Sequence, residues 1–295
     1  MLSERIQVAE TAAIPDFEIS GSLVRTARLR DEWYGDVDDP APLIEHCRRL
    51  GNIDLFTFWQ RLPNTEPVHD FPMEWDAIAV LPITTFEHWY KHQINNKTRN
   101  LIVKAKKKGV VVRQVAFDEA LVNGITRLFN ETPIRQERPF IHYGKTAETI
   151  RREFSRFLFR EEILGAYLDD ELIGFSMIAD AGRYAMLGQI ISMVQHRDKS
   201  PTNALIAEAI ARCAERGFRW LNYALWPIGS LRDFKKHNGF ECVRLPRYYV
   251  PLTPRGHMAL KLKLHRTAAD LLPESTVMRL KAVRSQFYAF RYRQR

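Results

Sequence analysis

A polar loop that leads into a helix is the first place where this sequence offers a site for an anion. Residues 195–203 are cationic or polar with no apolar run, and apolar residues then recur at helical spacing from Ala204 to Arg216. Backbone N–H groups at a helix N-terminus lack intrahelical partners and attract groups such as pyrophosphate. The pattern therefore predicts an anion site. The structural alternative is that Ser200 or Thr202 caps the helix and Pro201 fixes its entry.

A second polar loop, residues 131–143, combines arginines with aromatic rings. Arg135, Arg138, His142 and Tyr143 all lie in it. Guanidinium groups bind phosphate and carboxylate through paired hydrogen bonds. We interpret these four side chains as candidates for binding an anionic group of a substrate. An exposed, salt-bridged loop is the alternative.

Predicted strands surround both loops. Apolar runs predict strands at residues 162–168, 172–179, 183–193 and 220–226. A three-residue polar turn joins the first two as a hairpin. Gly188 in the third strand is interpreted as a position where a side chain would crowd a close approach. Residues 231–240 then begin a short helix, so this half of the chain is predicted to be α/β.

The first half of the chain also alternates strands and helices. Strands are predicted at residues 19–30, 54–60, 75–81 and 110–115, and helices at 42–50, 97–108, 118–130 and 146–159. Pro246 lies inside a last strand, 243–250, and predicts an edge position because proline cannot donate to a neighbouring strand. Residues 258–295 are predicted to form two helices broken at Pro273.

This order of elements resembles the acyl-transfer core of the GNAT superfamily, and its short motifs are closer to the FemAB-type branch. Ser200-Pro201-Thr202-Asn203 is similar to the Ser-Pro-Asn-like signature before the long helix of that branch. Phe234-Lys235 is similar to the Phe-Lys pair that opens its closing segment. The run from Arg99 to Val110 resembles the segment that leads out of the first domain.

The resemblance covers roughly residues 20–252 and implies an α/β fold of two GNAT-like domains. Each domain is then a mixed β-sheet flanked by helices. We place an N-terminal domain at residues 1–115, an acyl-transfer domain at 116–254 and a basic helical tail at 255–295. The N-terminal half would be a diverged copy of the same fold.

The activity implied by the resemblance is metal-free transfer of an acyl group to an amine. GNAT-type sites hold the donor carbonyl where two neighbouring strands splay apart, here 183–193 and 220–226. Ligand-facing side chains would come from Gln189, Ser192, Asn222 and Tyr223. Lys235 matches the lysine of the family and is a candidate for binding the donor or stabilising the oxyanion. Its alternative is a solvated lysine on a basic surface with Arg232 and Lys236.

The expected site falls into three groups of residues. The catalytic group is Lys235, Tyr223 and Asn222. The donor-binding group is Gln195, Arg197, Ser200, Thr202, Asn203 and Phe234. The acceptor-binding group is Arg135, Arg138, His142, Tyr143 and Gln189. Candidates for a general base are Asp180, His196, Glu208 and His237, and none has a decisive neighbour in the sequence.

Two departures from ordinary GNAT proteins favour the FemAB-type branch. The loop at residues 195–203, which we call the donor loop, has no Arg-x-x-Gly-x-Gly/Ala turn, so a backbone approach to pyrophosphate is more hindered. The tyrosine that often protonates a leaving thiolate is absent near Lys235. The implied donor is therefore a CoA thioester or an aminoacyl-tRNA, without a permanently bound cofactor. The implied acceptor is an amine of a small molecule or of a cell-wall precursor.

Two other functions stay open at this point. One is tRNA-dependent aminoacyl transfer to a peptidoglycan precursor. The other is non-catalytic binding of RNA or of an anionic membrane surface, because the net charge is +9 and residues 91–113 contain many cations and no acid. A solvated basic face is the structural explanation of the same charges.

Composition points to the cytoplasm. The three cysteines, Cys47, Cys213 and Cys242, are far apart and fit free thiols in a reducing compartment. No Cys or His pair has the spacing of a zinc site. No apolar run approaches the roughly 20 residues that cross a bilayer, and the N-terminus lacks the pattern of a signal peptide.

Overall fold

The computed structural model describes residues 16–35, 37–135, 138–158 and 160–266, with short stretches at 272–273, 275–276, 279–280 and 282–284. The strands are β1 (Phe17–Ser20), β2 (Thr26–Leu29), β3 (Leu55–Trp59), β4 (Met73–Pro82), β5 (Val111–Val115), β6 (Ile134–Arg135), β7 (Arg138–Pro139), β8 (Glu161–Leu168), β9 (Glu171–Asp180), β10 (Ala185–Ser192), β11 (Trp220–Leu225) and β12 (Glu241–Pro251). The helices are α1 (Ala41–Leu50), α2 (Phe86–His88), α3 (Asn96–Lys107), α4 (Glu119–Asn130), α5 (Ala147–Phe154), α6 (Pro201–Glu215), α7 (Ser230–His237) and α8 (Pro254–Lys261).

The described chain forms two compact units. The first contains residues 16–60, 67–74 and 246–266, and the second contains 61–66 and 75–245. Residues 75–115, which the sequence analysis assigned to the first domain, are thus grouped with the predicted acyl-transfer domain. The reason is that β5 pairs with β8 and α3 packs against α6.

The second unit is a mixed sheet covered by helices. Its strands follow the order β4-β11-β10-β9-β8-β5, in which β10 and β11 are parallel and the other neighbouring pairs are antiparallel. Ile163 and Phe175 pack with α4 and α5, whereas Leu164 and Ile173 pack with α6. Because successive residues of a strand point to opposite faces, a strand covered on both faces must be apolar throughout. β8 and β9 have this property over residues 163–168 and 172–179, apart from the buried Ser176.

The first unit is smaller. Its strands follow the order β1-β2-β3-β12, and residues 247–251 of β12 pair antiparallel with β3. Helix α1 contributes Ile44 and Cys47 to the core of this unit. Helix α8 begins at Thr253, which caps it by accepting a hydrogen bond from Gly256 N. Gly256 brings α8 into close contact with the carbonyl of Asp54.

Three local expectations are wrong. Pro246 is not on an edge, because β12 lies between β3 and β4, and the Pro246 carbonyl accepts from Gln60 N at 2.9 Å. A Cβ on Gly188 would meet only Met177 O at 3.7 Å, so crowding does not account for that glycine. The helix predicted at 146–159 ends at Phe154 and continues as a 3-10 turn, Ser155–Phe157.

Most of the predicted tail lies outside the described residues. Of residues 255–295, the structure describes the end of α8, its continuation to Arg266 and a few short stretches. In the part of the chain that is described, no helix has both the length and the apolarity to span a bilayer.

The contact at Gly256 yields a prediction about stability. An ideal Cβ there would lie 2.0 Å from Asp54 O, a backbone atom that cannot move aside cheaply. We expect Gly256→Ala to lower the free energy of unfolding by about 3 kcal/mol. Urea denaturation measures it. The control is Gly35→Ala, where a Cβ would meet no atom within 4 Å, and similar losses in the two variants would contradict the close approach of α8.

Candidate functional site

The parallel strands β10 and β11 pair only near their first residues. Ala185 lies opposite Leu221 and Met186 opposite Asn222, and the described residues show no further pair between these strands. Beyond that point β10 continues along β9, and β11 continues along β4. The strands therefore part, as the resemblance implied. The crevice between them is lined by backbone groups that lack a partner strand on that side.

Each strand has an irregularity just after the last shared pair. The register of β10 against β9 shifts between Leu187 and Ile190, a segment that includes Gln189. The register of β11 against β4 shifts between Asn222 and Leu225. Bulges of this kind bend a strand and redirect its side chains. The two bulges therefore account for the parting of the strands.

Asn222 stabilises the bulge in β11. Its side chain is buried, and Oδ1 accepts from the backbone N of Ala224 at 2.9 Å. Ala224 has φ +52°, the left-handed region that residues with a Cβ adopt rarely. The hydrogen bond within the bulge helps to hold that conformation. Asn222 thus lies where the two strands part, and its side chain is bound to the backbone of its own strand.

Lys235 connects α7 to the parted part of β11. Its side chain is only 2% exposed, so the solvated-lysine alternative is wrong. The ammonium donates to the carbonyl oxygens of Tyr223 and Leu225, the latter at 2.9 Å. Nζ also lies 4.1 Å from the centroid of the Tyr223 ring. One side chain therefore binds two carbonyls just beyond the point where β10 and β11 cease to pair.

Burial changes the acid–base properties of both residues. It lowers the pKa of the Lys235 ammonium to about 8, and it raises the pKa of the Tyr223 phenol. Two carbonyl acceptors and an aromatic face favour the charged lysine. Near pH 7 the site therefore holds an ammonium and a neutral phenol. Phe234 packs against the same hydrophobic core as Tyr223.

The donor loop enters α6 through a tight turn. Residues Arg197–Lys199 form a 3-10 turn, Ser200 has φ +58°, and Pro201 is the first residue of the helix. The Ser200 side chain forms no capping hydrogen bond, so capping by Ser200 is wrong. Thr202 Oγ1 is 2.7 Å from Ser192 Oγ, which joins the helix to the end of β10. Asn203 is buried.

Cations lie beside this loop. Helix α3 contacts the Arg197–Lys199 turn, and the exposed cations of α3 and its C-terminal end are Lys97, Lys104, Lys106, Lys107 and Lys108. Arg99 differs, because its Nη1 donates to the carbonyls of Tyr90, Lys91 and Ile94. The predicted cation run thus divides into exposed lysines, the structural Arg99, and the exposed Arg113, whose guanidinium lies 4.4 Å from the Tyr167 ring centroid.

The predicted acceptor residues are placed in two different ways. Arg138 and Tyr143 are exposed. The ring of His142 stacks on Phe129 with centroids 4.5 Å apart, and burial lowers its pKa to about 4. The guanidinium of Arg135 forms hydrogen bonds within the protein and lies 4.6 Å from the Phe140 ring centroid. The loop is therefore only partly the exposed loop of the alternative interpretation.

Sequence reasoning missed Glu131. Its carboxylate accepts from the backbone N of Val194 and of Gln195, both at 2.8 Å, and from Arg135 Nη2 at 2.9 Å. The i, i+4 spacing of Glu131 and Arg135 was the signal available in the sequence. Its contact with the donor loop, 63 residues away, had no such signal.

Three of the four general-base candidates lie near charged side chains, whereas His237 is exposed. Asp180 pairs with Arg216 at 2.9 Å and Glu208 with Arg212 at 3.1 Å. His196 Nε2 lies 3.9 Å from Glu171. A depression of about 490 Å³ near the first residue of β11, lined by residues 83–84 and 217–220, contains none of the predicted site residues.

Residues 92–236 match the family model described as an acetyltransferase (GNAT) domain. The matched segment includes both parted strands, the donor loop and Lys235. No curated protein sequence matches the chain. The second unit is therefore GNAT-like by its family match as well as by its strand arrangement.

Several solved structures are similar to most of the chain. The C-terminal DUF2156 domain of a protein assigned as a lysylphosphatidylglycerol synthetase from Agrobacterium fabrum has 13% identity and TM-score 0.54, over 83% of this chain and 82% of its own. L-PGS from Bacillus licheniformis has 15% identity and TM-score 0.51, over 79% and 80%. FemX has 12% identity and TM-score 0.46, over 72% and 69%. At these identities the first two show a shared fold.

The buried lysine predicts a dependence of stability on pH. The pKa of Lys235 is about 8 in the folded chain and 10.5 for a free lysine. Between these values the unfolded chain binds more protons, so the free energy of unfolding rises with pH. From pH 7 to pH 9.5, wild type should gain about 2 kcal/mol relative to Lys235→Met.

Chemical denaturation of both proteins across this pH range measures the difference. Lys236→Met removes an exposed lysine next in sequence and should parallel wild type. If Lys235→Met also parallels wild type, Lys235 is not the buried cation described above.

Proposed function

We propose that the protein is an N-acyltransferase of the FemAB/GNAT type, which moves an acyl group from an activated donor to an amine. The observation that carries this proposal is the parting of β10 and β11 beside the buried ammonium of Lys235. Backbone N–H groups of the parted strands that have no partner on that side are the proposed donors to a thioester or ester carbonyl placed in the crevice. Such preorganised dipoles stabilise the negative charge that develops on the carbonyl oxygen.

The reaction has a simple balance. The neutral acceptor amine attacks the acyl carbon, a C–N bond forms, and the carbonyl oxygen becomes an oxyanion. The C–S or C–O bond to the donor then breaks, and the proton lost by the amine ends on the leaving group or in solvent. Lys235 supplies positive charge beside the crevice, while Asn222 and Tyr223 keep β11 in its bulged conformation.

The donor is assigned to the loop at residues 195–203. The exposed cations of α3 beside that loop, and the N-terminus of α6, suit a phosphate-bearing donor. A CoA thioester and an aminoacyl-tRNA share this chemistry. The acceptor is assigned to Arg138, His142, Tyr143 and Gln189. Arg135 is left out of this group because its guanidinium forms hydrogen bonds within the protein. The fold shared with a protein assigned as a lysylphosphatidylglycerol synthetase adds a lipid-linked acceptor to the candidates.

Binding of the donor is the direct test. Thermal unfolding is measured with CoA, with acetyl-CoA and with charged tRNA. A ligand at 100 times its Kd stabilises the folded state by about 2.7 kcal/mol, so the true donor class should raise the Tm by several degrees. Mass spectrometry of acceptor mixtures then detects transfer. Absence of any shift with all three probes would refute the donor assignment.

Lys235→Met tests the role of the ammonium in turnover. We expect at least a tenfold lower kcat, equivalent to about 1.4 kcal/mol in the barrier. The variant is assayed below its own Tm, because the carbonyls of Tyr223 and Leu225 lose their donor. Lys236→Met is the control and should keep wild-type turnover. Equal turnover in both variants removes Lys235 from the mechanism.

A polyanion-binding protein without catalysis is the second candidate. The observation that favours it is the set of exposed lysines on α3, because residues 91–113 contain no acid. Such a protein loses affinity for RNA steeply with salt. It would bind charged and uncharged tRNA equally and would show no transfer.

A further inference from the structure

A pair of charged residues beside α4 holds the end of β10 and the start of the donor loop. Glu131 directly follows α4 and Arg135 lies in β6; their side chains are each 14% exposed and form an ion pair at 2.9 Å. We call these two residues the clasp. A pair so little exposed is weakly screened by solvent and holds a more defined geometry than a surface pair.

The carboxylate of the clasp binds two consecutive backbone groups. Glu131 Oε2 accepts from Val194 N and Oε1 accepts from Gln195 N, both at 2.8 Å. Adjacent N–H groups that point at one anion form a site that neutral acceptors fill less well. The negative charge of Glu131 therefore fixes the backbone orientation at the first residue of the donor loop.

The guanidinium of the clasp binds the strand itself. Arg135 Nη1 donates to Ser192 O at 2.7 Å, and Nη2 donates to Leu128 O at 3.0 Å. Ser192 is the last residue of β10, and its hydroxyl is 2.7 Å from that of Thr202. Arg135 thus anchors the point where the parted strand ends and the N-terminus of α6 is attached.

The residue between these anchors is fixed as well. Met193 is buried, and its backbone N donates to Ile173 O at 2.8 Å. Four consecutive residues, 192–195, therefore each have a backbone hydrogen bond to the clasp or to β9. The loop beyond them is bound to the same segment, because Arg197 N donates a hydrogen bond to Val194 O at 3.1 Å. Any displacement at the clasp is passed directly to the donor loop.

We propose that Glu131 and Arg135 are positioning residues for the acyl donor. They do not touch the donor and act on it through the backbone of residues 192–195. The proposal rests on the proposed function, because it takes residues 195–203 as the donor loop. It also reassigns Arg135 from contact with the acceptor to support of the donor side. The clasp raises donor affinity and leaves the chemical step to the groups at the crevice.

Three variants test the clasp with acetyl-CoA as the probe. Glu131→Gln keeps the shape and removes the charge, and Glu131→Ala removes the whole carboxylate. Both should raise the KM for acetyl-CoA at least tenfold while kcat stays within threefold. Glu119→Gln is the control on the same helix, because its ion pair with Arg151 is exposed and its loss should leave KM unchanged.

Hydrogen exchange gives a readout that does not depend on turnover. The amides of Val194 and Gln195 should exchange at least tenfold faster in Glu131→Ala than in wild type, and in Glu119→Gln they should not. Added sodium acetate should lower the KM of Glu131→Ala toward wild type, because a free carboxylate fits the space that the side chain left. It should not act on Glu131→Gln, where the amide occupies that space.

The outcomes separate the two proposals. A KM within twofold of wild type in Glu131→Ala, in an active enzyme, overturns the clasp and leaves the proposed function intact. Failure of acetate to act on Glu131→Ala counts against the role of the charge. If wild type itself transfers nothing from acetyl-CoA, the CoA form of the proposed function fails. Exchange at Val194 and Gln195 then decides the clasp alone, and unchanged exchange overturns it.

Discussion

A sheet that opens between two of its strands must provide other partners for the backbone groups it releases. An unpaired buried carbonyl or N–H costs about 1–3 kcal/mol, and several in a row would close the gap or unfold it. In this protein Lys235 binds the carbonyls of Tyr223 and Leu225, and Asn222 binds the N–H of Ala224. The parting of β10 and β11 depends on these side chains. The candidate site depends on the parting.

The same constraint explains why the site is built on buried elements. Strands β8 and β9 have helices on both faces, so they are rigid supports for β10. The open side of β10 is then fixed at its end by Glu131 and Arg135 and by the contact of Ser192 with Thr202. The first residues of the loop are thereby held to the end of the sheet. Sites on such supports hold their geometry better than sites on free loops.

Charge is used in two distinct ways in the second unit. Lys235, Glu131 and Arg135 are largely buried, and each has hydrogen-bond partners that offset the cost of burial. The lysines of α3 are solvated and add to the net charge of +9. The three buried charged residues shape the backbone around the crevice. The exposed lysines attract anions electrostatically, and this attraction does not depend on exact geometry.

The sequence by itself determined the order of most helices and strands and the antiparallel β8–β9 hairpin. These follow from periodicity, turn residues and short motifs, which are local properties of the chain. Sequence reasoning also singled out Lys235 and Asn222, which the structure places where β10 and β11 part. Its alternative interpretation, a solvated Lys235, is wrong. The cations that flank Lys235 in the sequence gave no sign that its side chain is buried.

Only the tertiary structure decided which polar groups meet. Glu131 and the donor loop are 63 residues apart, and Lys235 lies 12 residues from Tyr223 across a turn and a helix. Pro246 likewise lies inside a sheet, where its carbonyl accepts a hydrogen bond from the distant Gln60 N. Hydrogen bonds between distant segments depend on how helices and strands pack in three dimensions, and no spacing along the chain encodes that distance.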